Sequence, residues 1–222
     1  MKRFRFELKD PPSITFTAGQ YVQLLCPRYK GSSEEVYRAY SIASKPRQNT
    51  MIDLIIRRVP NGICTTWCFD ILKEGDPVRL NGPYGDFRLS DTNLPMVFIA
   101  GGSGMAPFVS ILGAMQNGQS QRAVRYFFGG NTVRDLCLQA QMKEFENVLP
   151  DFKFVPVVAR PAENEKWSGQ TGLVTEAVQR SFNDLSGHEG YLCGSPGMID
   201  ASIKVLRAMG MPQDKIYFDK FA

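Results

Sequence analysis

MVFIAGGSGMAPFVSIL, Met96 to Leu112, decides how this chain folds. Five apolar residues run without interruption into Gly101-Gly102-Ser103-Gly104, and an apolar segment with Pro107 near its start follows. A short continuous apolar run is the mark of a strand buried on both faces, as in a parallel sheet. Proline is tolerated in the first turn of a helix. The stretch therefore reads as strand, tight turn, helix. Glycines let backbone N–H groups approach a ligand closely, and a helix N-terminus favours phosphate. The turn fits neither GxGxxG nor the Walker pattern, so alone it is equally well a compact connection.

Downstream the alternation repeats. VRYFFGG (124–130) precedes LCLQAQMKEFENVL, FKFVPVVA (152–159) precedes GLVTEAVQRSF, and GYLCG (190–194) precedes PGMIDASIKVLRAMG; KIYFDKF (215–221) closes the series. Five such strands with helices between them predict a doubly wound α/β domain around a five-stranded parallel sheet, over 95–222. Upstream the texture differs. KRFRFEL (2–8) alternates with period two, and QYVQLLCP (20–27), RAYSIAS (38–44), MIDLIIRRV (51–59) and VRLNGPYGDF (78–87) are short β-rich runs between turn residues. These predict an antiparallel β-barrel over 1–91, with one short helix at 65–72 and DTNLP (91–95) as linker.

Composition narrows the function. A net charge of +4 is mild and points away from nucleic acid. The five cysteines, at 26, 64, 68, 137 and 193, follow no disulfide, zinc or iron–sulfur spacing, and the chain has a single histidine. A reducing, cytoplasmic setting is expected, with no signal peptide and no apolar run long enough to span a membrane. Taken singly, RAYSIAS could be a two-faced surface strand, Cys193 a buried structural thiol and Phe221 a core residue.

Together and in this order, RAYS, GPYGDF, GGSGMAP, CGSPGM and the terminal DKF resemble the ferredoxin–NADP⁺ reductase superfamily over essentially the whole chain. The resemblance is strongest to the FAD/NADH module of two groups. One is the FAD subunit of the sodium-translocating NADH:quinone reductase; the other is the reductase component of multicomponent oxygenases. It implies an FAD-binding barrel followed by an NAD(P)-binding domain. It also implies an NADH-dependent flavoprotein reductase that takes hydride at the flavin N5 and passes single electrons to a [2Fe-2S] ferredoxin domain or protein. The acceptor system would be an oxygenase or a membrane quinone reductase complex, the latter placing the protein at the inner face of a membrane through other domains or subunits. A stand-alone ferredoxin or flavin reductase, or a non-catalytic electron-transfer subunit, is the alternative.

The same resemblance assigns residues. Arg38 pairs with the FAD pyrophosphate, Tyr40 lies against the flavin ring, and Ser41 reaches toward N5. On an ideal strand Arg38 and Tyr40 share a face while Ser41 points away, so its reach requires a bend. The turn Gly62-Ile63-Cys64-Thr65, with Thr66, binds FAD phosphate; Thr65 would cap the short helix. Gly101, Gly102 and Gly104 form the dinucleotide turn, Cys193 and Gly194 border the nicotinamide, and Asp219 with Phe221 forms the terminal pair, Phe221 covering the flavin. Asn131 and Thr132 face the adenosine ribose and favour NADH over NADPH, although Arg134 is close by. Relatives carry a further strand before KRFRFEL and an iron–sulfur domain, so the natural chain is expected to begin earlier.

Overall fold

The computed structural model describes residues 1–221. The chain divides into two compact units: Met1–Leu89 with Ala106–Gly113, and Ser90–Met105 with Ala114 onward.

The first unit is built from two antiparallel sheets. Strand β1 (Lys2–Glu7) pairs with β4 (Met51–Ile56), and β3 (Val36–Ser41) and β5 (Leu80–Tyr84) flank β2 (Tyr21–Cys26). Alternation makes the core. Val22, Leu24 and Cys26 of β2 are buried, and they meet Ile52, Leu54 and Ile56 of β4. A bridge from Ile42 to Leu54 joins the sheets, so the strand that begins in one ends against the other. The expected helix starts earlier than residue 65. It is one α-turn, α1 (Ile63–Thr66), widening into a π-turn over Trp67–Ile71. Trp67 and Cys68 are buried in the same core, which is what holds so short a helix in place.

The second unit is a parallel sheet of six strands, ordered β11-β10-β6-β7-β8-β9. These are β6 (Met96–Gly101), β7 (Val124–Gly130), β8 (Phe152–Val158), β9 (Gln170–Thr171), β10 (Glu189–Gly194) and β11 (Ile216–Lys220). The sixth strand, β9, corrects the expected five. It has two residues, too few for any hydrophobic period, and exists because Val157 and Val158 of β8 offer an edge to pair with.

Helices α2 (Met105–Asn117), α3 (Gln139–Val148), α4 (Val174–Ser181) and α5 (Pro196–Ala208) connect the strands. One core contains Val97 and Ile99 of β6, Phe127 and Leu192, with Val174, Ala177 and Val178 of α4 and Ile199 and Leu206 of α5. The alternate residues Phe98, Tyr126 and Tyr191 pack edge to face on the opposite side.

At the start of β10 a polar knot fastens the segment 90–94. Glu189 is fully buried. It accepts hydrogen bonds from Arg122 Nη2 (2.7 Å), Tyr191 OH (2.9 Å), Thr92 Oγ1 (3.0 Å) and Ser90 Oγ. Burial would push this carboxyl up, but the hydrogen bonds outweigh it and hold the carboxyl below its ordinary value. Arg122 Nε also donates to the Leu94 carbonyl at 2.9 Å.

Candidate functional site

In the second unit the chain runs outward from β6 through β7, β8 and β9, then returns to β10 on the other side of β6. Strand order reverses between β6 and β10, and the crevice past their carboxyl ends is where open α/β sheets bind ligands. Two turns meet there. Gly101–Gly104 leaves β6 as a 3₁₀ turn and runs directly into α2. Cys193-Gly194 ends β10 and leads through Ser195 to Pro196, the first residue of α5.

The approach of these turns is close enough to need glycine. A Cβ on Gly104 would lie 2.2 Å from the Cys193 carbonyl oxygen and 3.0 Å from the Gly194 nitrogen. Gly194 has φ +148°, and a Cβ there would meet Met198 Cε at 2.8 Å. Strand β11 brings the terminus to the same place. Asp219 stands beside Cys193 in the parallel register, and the Phe221 amide donates to the Gly194 carbonyl at 3.0 Å. Gly101, Gly102, Gly104, Cys193, Gly194, Asp219 and Phe221 thus gather at one end of the sheet.

Burial and the nearby Asp219 push the Cys193 thiol well up, so it sits there as a neutral, small side chain rather than a thiolate nucleophile. Burial raises the Asp219 carboxyl as well.

The end of β7 carries two carboxylates that sequence reasoning passed over. Asp135 Oδ2 accepts the amides of Asn131 (3.1 Å) and Thr132 (3.0 Å), closing a capping box with the Thr132 hydroxyl. Glu165 Oε2 accepts the Ala162 amide at 3.0 Å and the Val133 amide at 3.4 Å. The signal for Asp135 was present in the sequence: Thr132-Val-Arg-Asp135 has the spacing of a cap. Glu165 is 32 residues from Val133, beyond any local pattern.

In the first unit Arg38 is exposed on β3, and its Nη1 donates to the Tyr37 carbonyl at 2.9 Å. Its planar guanidinium carries five N–H donors, a fork whose geometry matches an oxyanion. Tyr40 is half-buried, and its hydroxyl donates to Cys64 Sγ at 3.5 Å. Ser41 is the last residue of β3 and is 5% exposed, immediately before Ile42 crosses to β4.

Thr65 does not cap α1. Gly62 holds that position, and the Thr65 hydroxyl turns inward, accepting the Val59 amide at 3.2 Å and lying within hydrogen-bond reach of the Val59 and Gly62 carbonyls. A buried hydroxyl satisfies the nearest backbone groups before it serves solvent. Thr66 remains partly exposed.

Two family models match. The oxidoreductase FAD-binding domain covers residues 1–89, and the oxidoreductase NAD-binding domain covers 98–204. The chain belongs to the ferredoxin reductase family. Its fold is that family's two-domain arrangement, antiparallel sheets in the FAD-binding domain and a parallel sheet in the NAD-binding domain. It is 36% identical to the phenol hydroxylase P5 protein of Acinetobacter pittii, covering 100% of this chain and 61% of that protein. It is 32% identical to the propane 2-monooxygenase reductase component of Mycolicibacterium goodii, covering 98% of this chain and 62% of that protein. The crystal structure of the Amycolatopsis cytochrome P450 reductase GcoB superposes with a TM-score of 0.89 at 33% identity, over 99% of this chain and 64% of that one. The chain therefore spans less than two thirds of each of these relatives. Among the described residues no helix is long and apolar enough to cross a membrane.

Proposed function

We propose that this ferredoxin reductase family chain is the FAD- and NADH-binding module of an oxygenase reductase, accepting hydride from NADH and delivering single electrons to a [2Fe-2S] centre. The observation that carries the reading is the gathering of Gly101–Gly104, Cys193-Gly194 and the terminal Asp219–Phe221 at the β6/β10 reversal. The cradle fits a dinucleotide, because its closest approach, Gly104 to the Cys193 carbonyl, is backbone to backbone with no side chain between. The relative named as the reductase component of a propane 2-monooxygenase supports the oxygenase setting. A cytoplasmic location, where NADH is supplied, follows from the same reading.

The first unit fits FAD by the chemistry of its donors. The exposed Arg38 guanidinium suits a pyrophosphate, the half-buried Tyr40 ring suits a flavin face, and Gly62 and Thr66 suit phosphate. When bound, FAD supplies the two-electron acceptor and the one-electron donor that amino-acid side chains lack. The protein's contribution is alignment and exclusion of water. Cys193, held neutral, presents no competing nucleophile or charge to the nicotinamide. Ser41 ends β3 where the chain changes sheets, which supports a hydroxyl aimed at N5.

NADH is the favoured donor. Asn131 and Thr132 can bond ribose hydroxyls, whereas the carboxylates of Asp135 and Glu165 beneath that loop would repel a 2′-phosphate. The test is flavin loading. The purified chain should bind FAD and bleach with NADH faster than with NADPH under anaerobic conditions. Arg38→Ala should lose flavin while melting within a degree or two of wild type, since Arg38 bonds only its own strand. Full flavin content in that variant would refute the assignment.

A further inference from the structure

The tyrosine assigned to the flavin is held from behind by a thiol. Tyr40 OH donates to Cys64 Sγ at 3.5 Å, within range for a sulfur acceptor. Cys64 is the central residue of the turn Gly62-Ile63-Cys64-Thr65-Thr66 and is 2% exposed. Its sulfur is placed by two constraints. Thr65, the next residue, is tied to Val59 and Gly62, which fixes the start of α1. The π-turn that follows brings Cys68 against Cys64, and Cys26 of β2 packs into the same cluster. Three thiols thus cluster beside the Tyr40 hydroxyl, and Cys64 is the one that meets the phenol.

We propose that Cys64 is a positioning residue for the flavin: its sulfur accepts the Tyr40 hydroxyl and fixes the angle at which the Tyr40 ring is offered to the isoalloxazine. The proposal rests on the assignment of FAD to the first unit. It is specific to this chain's residues, because the hydrogen bond needs an acceptor at that place in the turn and a valine or leucine would supply none.

The acceptor has a second property. A hydrogen bond from Cys68 is the main cause that lowers the Cys64 thiol, with burial opposing it and Tyr40, Arg38 and Cys26 assisting; the balance leaves it at about 7. The groups that face the sulfur are Cys26 on β2, Arg38 and Tyr40 on β3, and Cys68 on the continuation of α1, with Tyr29 close enough to feel its charge. A thiolate accepts more strongly than a thiol. The grip on Tyr40 therefore tightens as pH rises through neutrality.

The experiment measures FAD affinity by flavin fluorescence quenching, together with the flavin absorption maximum, for wild type, Cys64→Ser, Cys64→Val, Tyr40→Phe and the Tyr40→Phe/Cys64→Val double variant. Cys64→Val fills the space without an acceptor and should weaken FAD about two- to tenfold. Cys64→Ser restores an acceptor and should stay within about twofold of wild type. Tyr40→Phe should lose as much as Cys64→Val, and the double variant no more than either, because both remove one bond. Wild-type affinity should rise with pH through about 7, and Tyr40→Phe should flatten that rise. Tyr40→Phe alone carries the test if Cys64→Val does not fold. Wild-type affinity in Cys64→Val, or additive losses in the double variant, would overturn the proposal and leave Cys64 as packing. Failure of the wild-type chain to bind FAD would instead overturn the flavin assignment, and the proposal with it.

Discussion

Gly104→Ala adds one methyl group where the β6 turn meets the end of β10. Gly104 has φ −60° and ψ −7°, which alanine adopts without strain, so the effect is purely steric. The new Cβ would lie 2.2 Å from the Cys193 carbonyl oxygen and 2.6 Å from its carbon. Ordinary contact begins at 3.4 Å, so the segments must part by about 1.2 Å, the difference of the two distances. Neither obstacle is a side chain that can swing aside. Both are backbone, and Cys193 is held in register against Ala100 of β6 and Asp219 of β11. Overpacking of this kind costs ~1–3 kcal/mol. For a chain of this size that lowers the melting temperature by about 2–12 °C. The same displacement opens the cradle, so NADH affinity should fall with it.

Gly197→Ala is the control. Nothing lies within 4 Å of a Cβ there, and the residue sits inside the first turn of α5. It should be neutral or stabilise by up to about 1 kcal/mol. Thermal unfolding by circular dichroism and an NADH titration of the FAD-loaded protein compare the two. A Gly104→Ala variant that melts and binds like Gly197→Ala would refute the close-approach reasoning, and with it the reason for glycine at this position.

Arg122→Ala would remove the nearer of the two cations on the buried Glu189 carboxylate, leaving Lys215 at 3.8 Å, and should cost up to ~3–5 kcal/mol in urea unfolding. Because the folded Glu189 carboxyl is held low, its contribution is complete above the unfolded value of about 4.3 and is lost as pH falls through the folded value. Glu189→Gln should therefore flatten the acid limb of the stability curve, and an unchanged limb would count against this assignment. Asp135→Asn keeps an oxygen for the Asn131 and Thr132 amides but removes the charge. The NADPH-to-NADH ratio of kcat/KM should rise on the order of tenfold, corresponding to ~1.4 kcal/mol of relieved repulsion; a constant ratio would place selectivity elsewhere. Thr65→Ala leaves the Val59 amide without its acceptor and should destabilise by ~1–3 kcal/mol, whereas Thr66→Ala should spare stability and weaken FAD. Loss of FAD at unchanged stability in Thr65→Ala would return Thr65 to the phosphate.

Much of the architecture is legible from periodicity alone. MVFIA and the centre of VRYFFGG, Tyr126 to Phe128, are buried because a parallel strand between helices has no solvent face, and the predicted β7 matches the observed one residue for residue. The runs before residue 90 show short antiparallel strands, but their division into β1-β4 and β3-β2-β5 comes from the structure. The glycines, the CG pair and the terminal DKF lie at opposite ends of the second half of the chain. Their convergence becomes visible only when β10 returns beside β6 and β11 beside β10.

By itself the sequence determined most of the strands and helices, the change of texture between the halves and the family, because these depend on local pattern and ordered motifs. Tertiary structure alone decided which way each polar group turned. Thr65 looked like a cap, yet its hydroxyl found Val59 first. Asp135 and Glu165 belong to no sequence motif singled out above, yet they fasten the loop expected to face the ribose. Cys64 was one more unpaired cysteine until Tyr40, 24 residues away, was placed against it. The physical reason is common to all three. A hydrophobic period is written into neighbouring residues, but a hydrogen bond is satisfied by whatever the fold brings within about 3 Å.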